Sequence, residues 1–202
     1  MLRASFALLL LIVFPLALYA QTSTQTRELQ LTAKIIGQKF CAGSGGVDVL
    51  HLKLRLNYRN AGAQKLILYR GNNLFFQVWV SSNLNQPSYQ MMTTGSRYLQ
   101  LGPENLDRPS LGRDFVLLSP KENFETELTV SLPVVRESAP IPVGAIIAGE
   151  HLLKIGVSTW YESRQLGERL RERWRRTGLL WTTPVTSAPV QFSSGSYSSS
   201  GC

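Results

Sequence analysis

The sequence predicts an all-β fold, an antiparallel β-sandwich with one short helix inserted before the last strand. Apolar and polar residues alternate over several segments, which is the pattern of strands with one buried face. Turn-forming glycine, asparagine and proline residues separate these segments. A helical spacing of apolar residues is convincing near the carboxyl end. Seven or more strands with one helix are typical of a sandwich, and an irregular barrel is the alternative.

The first twenty residues have the layout of an export signal. Arg3 precedes an almost wholly apolar run over 4–18, and Ala20 offers a small residue for cleavage before the polar stretch 21–27. An uncleaved membrane anchor is the alternative, but the run is shorter than the roughly 20 residues that a bilayer span needs. We therefore expect a signal peptide over 1–20 and a polar linker over 21–27. The mature protein should be periplasmic or extracellular, without a transmembrane segment.

The sandwich domain is expected to span residues 28–192. Its clearest strand covers 47–58, where leucines at alternate positions face the core and His51, Lys53 and Arg55 face solvent. Asn60 and Gly62 then mark a turn into a strand at 66–69, which predicts a hairpin. Other predicted strands cover 28–36, 74–80, 124–132, 151–160 and 182–192, with short candidates at 89–92 and 98–101.

The last predicted strand contains Pro184 and Pro189. Proline has no amide hydrogen to donate to a neighbouring strand. We therefore expect this strand to lie at an edge or to be bent.

The predicted helix covers residues 163–177. Leu166, Leu170 and Trp174 follow one another at intervals of four residues and form a narrow apolar stripe. Ser163 is a suitable N-cap, and Gly178 is a suitable residue to end the helix.

Arginines are concentrated on this helix, and Arg169, Arg173 and Arg176 form the candidate binding surface. Guanidinium groups suit carboxylates, phosphates and polyanions. The alternative is a solvated face whose aliphatic stems shield Leu170 and Trp174. Because the chain has a formal net charge of +8, an anionic protein or surface is the expected kind of partner. Nucleic acid is not expected for an exported protein.

The aromatic residues of the 74–80 strand are a second candidate for binding. Phe76 and Trp79 have opposite parity, so one of them should face outward unless another layer covers it. An outward aromatic could bind a partner or a sugar, and core packing is the alternative.

The chain has two cysteines, Cys41 and Cys202. An oxidising compartment permits a disulfide between them. Cys202 ends a Ser/Gly-rich stretch over 193–202, which we expect to be a flexible tail that a disulfide would anchor.

Catalytic and metal-binding patterns are missing from the sequence. His51 and His151 lie in predicted strands, and no known nucleophile, phosphate-binding or metalloprotease motif is present. No spacing of His, Cys and carboxylate residues supports a metal site, and no cofactor is implied. The sequence favours a non-catalytic binding or structural domain, and an enzyme of unrecognised type is the alternative.

Two segments resemble bacterial exported immunoglobulin-like domains. Residues 54–62, which include Asn60-Ala61-Gly62, followed by the strand at 66–69, resemble the "strand, N-x-G, strand" opening of these domains. Residues 148–151 resemble their entry into a long strand, and the proteinase-inhibitor domain of the BsuPI type shares this layout. The resemblance implies an immunoglobulin-like fold over about 47–160 and an alternative function as a proteinase inhibitor acting through a surface loop. The long insertion, the arginine-rich helix and the export signal depart from the pattern, so no functional residue is carried over.

Overall fold

The computed structural model describes residues 28–43, 45–70, 74–96, 111–135, 144–159 and 164–195. The predicted signal peptide, the linker, the strand at 98–101 and most of the tail lie outside these ranges. The described residues form twelve strands and one helix: β1 (Leu29–Cys41), β2 (Val47–Asn60), β3 (Leu66–Tyr69), β4 (Leu74–Ser81), β5 (Gln90–Ser96), β6 (Phe115–Leu118), β7 (Asn123–Val135), β8 (Ile146–Ile147), β9 (Glu150–Thr159), α1 (Arg164–Trp174), β10 (Leu179–Leu180), β11 (Val185–Thr186) and β12 (Val190–Ser193). The predicted all-β fold with one short helix is confirmed for this part of the chain.

The first large sheet has the strand order β1-β2-β7-β8. Alternation along β2 places its leucines on the inner face, where each is at most 1% exposed: Leu50, Leu52, Leu54 and Leu56. β7 pairs with β2 in antiparallel register, with Leu132 opposite Leu50. The period-two pattern in the sequence is therefore the buried face of this sheet.

The outer face of the same sheet carries exposed ion pairs. Lys53 Nζ lies 2.6 Å from Glu127 Oε2, and Arg55 contacts both Glu125 and Glu127. The hydrogen bond with Lys53 is the main cause of a lowered pKa at Glu127. Such exposed cross-strand pairs contribute little to stability, so the inner leucines carry most of the packing energy.

The second large sheet has the order β11-β9-β4-β5, and β12 also pairs with β9. Its inner face presents Phe76 and Val78 from β4 and Leu153 and Ile155 from β9, all buried. These side chains belong to the same core cluster as the leucines of β2. The two large sheets therefore bury their apolar faces against a common core.

A third, three-stranded sheet with the order β10-β3-β6 supports the helix. β3 pairs with β6 and β10 and not with β2, so the predicted hairpin of β2 and β3 is wrong: the turn after Asn60 passes the chain to another sheet. All four residues of β3 are buried. The ring of Phe115 on β6 lies edge-on to Trp174 of α1, with centroids 4.6 Å apart, and edge-on to Tyr69, with centroids 5.1 Å apart. Leu170 and Trp174 are 3% and 7% exposed, so the predicted apolar stripe of the helix faces the core at these two positions.

The sequence predicted antiparallel sheets, but two of the strand pairings are parallel. β8 runs parallel to β7, and β10 runs parallel to β3. Both pairings involve two-residue strands, in which alternation carries no information about the direction of the neighbour. The predicted last strand is also divided, since β11 and β12 each begin directly after a proline, Pro184 and Pro189. Both pieces pair with β9 alone among the described strands, so the edge position expected from the prolines is confirmed.

The helix is shorter than the predicted range of 163–177. It ends at Trp174, whose carbonyl accepts hydrogen bonds from the amides of Thr177 at 2.7 Å and Gly178 at 3.1 Å. Residues 175–177 form this terminal turn, and Gly178 follows it where the sequence predicted the end. Ser163, the predicted N-cap, lies outside the described residues.

Candidate functional site

A groove lies between the carboxyl end of α1 and the loop that joins β2 to β3. It encloses about 280 Å³. The loop contributes two lining residues, and the helix with the segment after it contributes the rest: Gln64, Lys65, Arg171, Arg175, Arg176, Thr177, Gly178 and Leu179. Because four of these side chains are cationic, we call this recess the basic groove.

Two backbone contacts hold the walls of the basic groove together. The amide of Leu179 donates to the carbonyl of Lys65 at 2.8 Å, and Trp181 donates to Ile67 at 2.9 Å. These bonds add β10 to the edge of β3. Gly178 permits the approach, because a Cβ atom at this position would lie 2.8 Å from the carbonyl oxygen of Lys65.

The cations of the groove are exposed and incompletely neutralised. Arg175 Nη1 lies 3.0 Å from Glu172 Oε1, and Arg171 Nη2 donates to Thr182 Oγ1 at 2.7 Å. Among the described residues, Lys65 and Arg176 form no ion pair. Guanidinium groups keep their charge at all physiological pH values and offer several donors in a planar fork. The groove is therefore a concave site of positive potential.

Of the three arginines that the sequence predicted as a binding surface, Arg176 lines the groove. Arg169 and Arg173 are exposed but are not among the lining residues. They precede the buried Leu170 and Trp174 by one residue, whereas Arg171 and Arg175 follow them by one. Each residue turns a helix by about 100°, so the two pairs flank the buried stripe on opposite sides. The loop that carries Lys65 meets the second flank.

His151 forms a buried polar cluster elsewhere, although the sequence showed it as one more strand residue. Its ring is stacked on Phe192, with centroids 5.2 Å apart. Nδ1 lies 3.0 Å from Ser82 Oγ, and Nε2 lies 2.8 Å from the carbonyl oxygen of Ile147 and 2.9 Å from Ser194 Oγ. Burial lowers the pKa of His151, while its hydrogen bond to Ile147 opposes that effect.

This cluster joins three chain segments: the end of β4 with Ser82, residues 147–151, and the end of β12 with Ser194. Ser194 also forms hydrogen bonds with the backbone of Gly149. The imidazole is only 2% exposed, so its direct role is to hold the end of β12 against the start of β9. His51, by contrast, lies on the polar face as predicted, with its Nδ1 2.8 Å from Ser131 Oγ.

The aromatic pair of β4 divides as parity requires. Phe76 is buried in the core, whereas Trp79 is half-buried on the outer face. Its ring occupies the space above Gly156, where a Cβ atom would lie 2.5 Å from two ring carbons. Trp79 therefore covers a position without a side chain, which gives this outward aromatic a packing role.

An inner recess between the sheets is lined by Tyr58, Tyr69, Trp181 and several aliphatic residues. Its volume of about 20 Å³ has room for roughly one water molecule. It is too small for an organic ligand. A recess of about 340 Å³ between β1 and β11 is larger, but it is lined by no charged side chain: Leu29, Gln30, Leu31, Pro184, Val185 and Thr186. The basic groove is therefore the better candidate for a charged ligand.

Cys41 is buried at the end of β1 and is disulfide-bonded. Cys202, the other cysteine of the chain, lies outside the described residues. Pairing of these two cysteines within one chain therefore stays a prediction.

Within the described residues, no three His, Cys, Asp or Glu side chains come together as metal ligands. No helix in that part of the chain is both long enough and apolar enough to cross a bilayer.

No family model matches the chain, and the comparison with curated proteins gives no match. Among solved structures, a β-glucosidase involved in saponin metabolism from intestinal bacteria is similar at 14% sequence identity, with a TM-score of 0.25. The alignment covers 79% of this chain and 16% of that chain. A TM-score of 0.25 is too low to indicate a shared fold or activity.

Proposed function

We propose that the mature chain is an exported, non-catalytic β-sandwich domain of immunoglobulin-like type that binds an anionic ligand in the basic groove. The observation that carries the proposal is the convergence of Lys65, Arg171, Arg175 and Arg176 on one recess. Two of these four cations have no ionic partner among the described residues.

The groove is a better binding site than a merely basic surface would be. A concave wall brings several donors to one ligand group at once, and each guanidinium can donate two parallel hydrogen bonds to an oxyanion. The backbone bonds between β10 and β3 fix the relative positions of the two walls before ligand arrives, which limits the entropy lost on binding. The signal-like residues 1–20 support the proposed export, and a periplasmic or extracellular setting would offer anionic surfaces and polymers as partners.

A heparin matrix, used as a general polyanion, provides the first test. Two variants of the mature chain are compared: Arg171→Glu/Arg175→Glu in the groove and Arg169→Glu/Arg173→Glu on the opposite flank. Each replaces two positive charges with two negative charges on α1 or the turn that ends it, so the pair is matched in net charge. Thermal unfolding of both confirms that they fold.

We expect the groove variant to elute at clearly lower salt than the wild type, and the flank variant to shift much less. Equal shifts would show that retention depends on net charge spread over the surface and would refute the groove as the site. Cleavage at Ala20 is checked separately, by the amino-terminal sequence of the protein recovered from the exported fraction.

A further inference from the structure

We infer that the anionic group recognised in the basic groove is a dianionic phosphoryl group, as in a phosphomonoester. This inference rests on the proposed function and narrows it to one ligand chemistry. It is drawn from the charge, the donors and the apolar floor of the groove.

The charge of the groove exceeds what a single carboxylate neutralises. Three arginines and Lys65 line the recess, and Glu172, which is not a lining residue, pairs with Arg175 and offsets one of the four charges. A monoanion would leave most of this charge uncompensated. A phosphoryl group carries nearly two charges at pH 7 and has three acceptor oxygens, so it matches the excess more closely.

The available donors fit a group with several acceptors. Among the described residues, the side chains of Arg176 and Lys65 have no hydrogen-bond or ionic partner, whereas Arg171 and Arg175 each have one partner outside the lining. The hydroxyl of Thr177 and the amide of Gln64 also line the recess. These donors come from both walls, which is the arrangement that a tetrahedral oxyanion needs and a planar carboxylate does not exploit.

The floor of the groove adds an apolar contact. Gly178 and Leu179 also line the recess, the amide of Leu179 is bonded to Lys65, and Leu179 is half-buried. The recess of about 280 Å³ is larger than the phosphoryl group alone requires. The carbon skeleton that bears the phosphate can therefore rest on Leu179.

Phenyl phosphate and phenyl sulfate form a matched pair of probes, because they have the same ring and a tetrahedral oxyanion. The sulfate ester is a monoanion throughout, whereas the phosphate gains its second charge near pH 6. Lysine and arginine stay charged over this range, and the lining residues include no histidine or carboxylate. Calorimetric titration of the mature chain at pH 5 and pH 7.5 therefore isolates the charge of the ligand.

We expect phenyl phosphate to bind up to about tenfold more tightly at pH 7.5 than at pH 5, following its dianion fraction. Phenyl sulfate should bind more weakly at pH 7.5 and show little pH dependence. Arg175→Gln/Arg176→Gln should reduce phosphate binding at least tenfold, while Arg169→Gln/Arg173→Gln should leave it unchanged. Equal, pH-independent binding of both probes would overturn the phosphoryl assignment. Retention on heparin without phenyl phosphate binding would also overturn it while leaving the proposed function intact, and loss of both would remove the groove as a site.

Discussion

A methyl group at Gly178 tests whether the close approach of the groove walls is rigid. In Gly178→Ala the new Cβ atom would lie 2.8 Å from the carbonyl oxygen of Lys65, well inside van der Waals contact. Gly178 is not among the positive-φ glycines, so backbone strain does not add to the cost. The Lys65 carbonyl must retreat, and its 2.8 Å hydrogen bond from Leu179 lengthens.

The size of the effect follows from three contributions. Overpacking lowers the free energy of unfolding by about 1–3 kcal/mol, and a weakened hydrogen bond lowers it by about 1 kcal/mol or less. Alanine restricts the unfolded chain more than glycine does, which raises the free energy of unfolding by about 0.4–1 kcal/mol. We expect a net loss of about 1–2 kcal/mol, which in a domain of this size lowers the melting temperature by roughly 2–8 °C.

Circular dichroism during heating measures this shift, and Gly37→Ala is the matched control. A Cβ atom at Gly37 would lie 3.6 Å from Lys53 Cβ, which is ordinary contact, so this variant should melt at or slightly above the wild-type temperature. If Gly178→Ala melts with the control, the walls are not held as closely as the geometry indicates and the reasoning fails.

Two further predictions concern the buried histidine and the cysteines. Burial lowers the pKa of His151 in the folded state below its usual 6.5; the unfolded chain therefore takes up the proton first, and stability present above pH 6.5 should be lost as the pH falls below it. The urea midpoint of the wild type should be lower at pH 5.5 than at pH 7.5, and the difference should be smaller in His151→Gln. Glu127 and Glu150 do not interfere, because their pKa values are lowered from 4.5 and lie below this pH range. The same difference in both proteins would exclude His151 as the cause of the loss. For the cysteines, a non-reducing proteolytic digest should contain a peptide that joins Cys41 to Cys202 and that disappears after reduction, whereas a dimeric Cys41 peptide would contradict the intrachain pairing.

Features that depend on local periodicity could be predicted from the sequence. The alternating leucines of β2 mark its buried face, and the four-residue spacing of Leu170 and Trp174 marks the buried stripe of α1. Gly178 ends the terminal turn as its residue type indicates. In each case the information lies within one segment, because the side-chain period of a strand or helix is fixed by its backbone.

The basic groove could not be predicted in the same way. Lys65 and Arg175 are far apart in the sequence and meet because β10 joins β3 in parallel, a pairing that two residues cannot signal. Spacing alone places Arg169 with Arg173 and Arg171 with Arg175, but it does not reveal which pair faces the loop. His151 is a similar case. Its ring is hydrogen-bonded to Ser82 and Ser194, and no pattern in the sequence connects these two serines to it.

The pairing of β2 with β7 also has a kinetic consequence. His51 and Ser131, which face each other across these strands, are 80 residues apart. The inner leucines of β2 have no partner strand on that side until the chain beyond residue 123 is available. Contacts at such long separation require the closure of large loops, which places folding in the slow range of milliseconds to seconds. A fragment that stops before β7 should therefore stay unfolded and expose its leucines to aggregation.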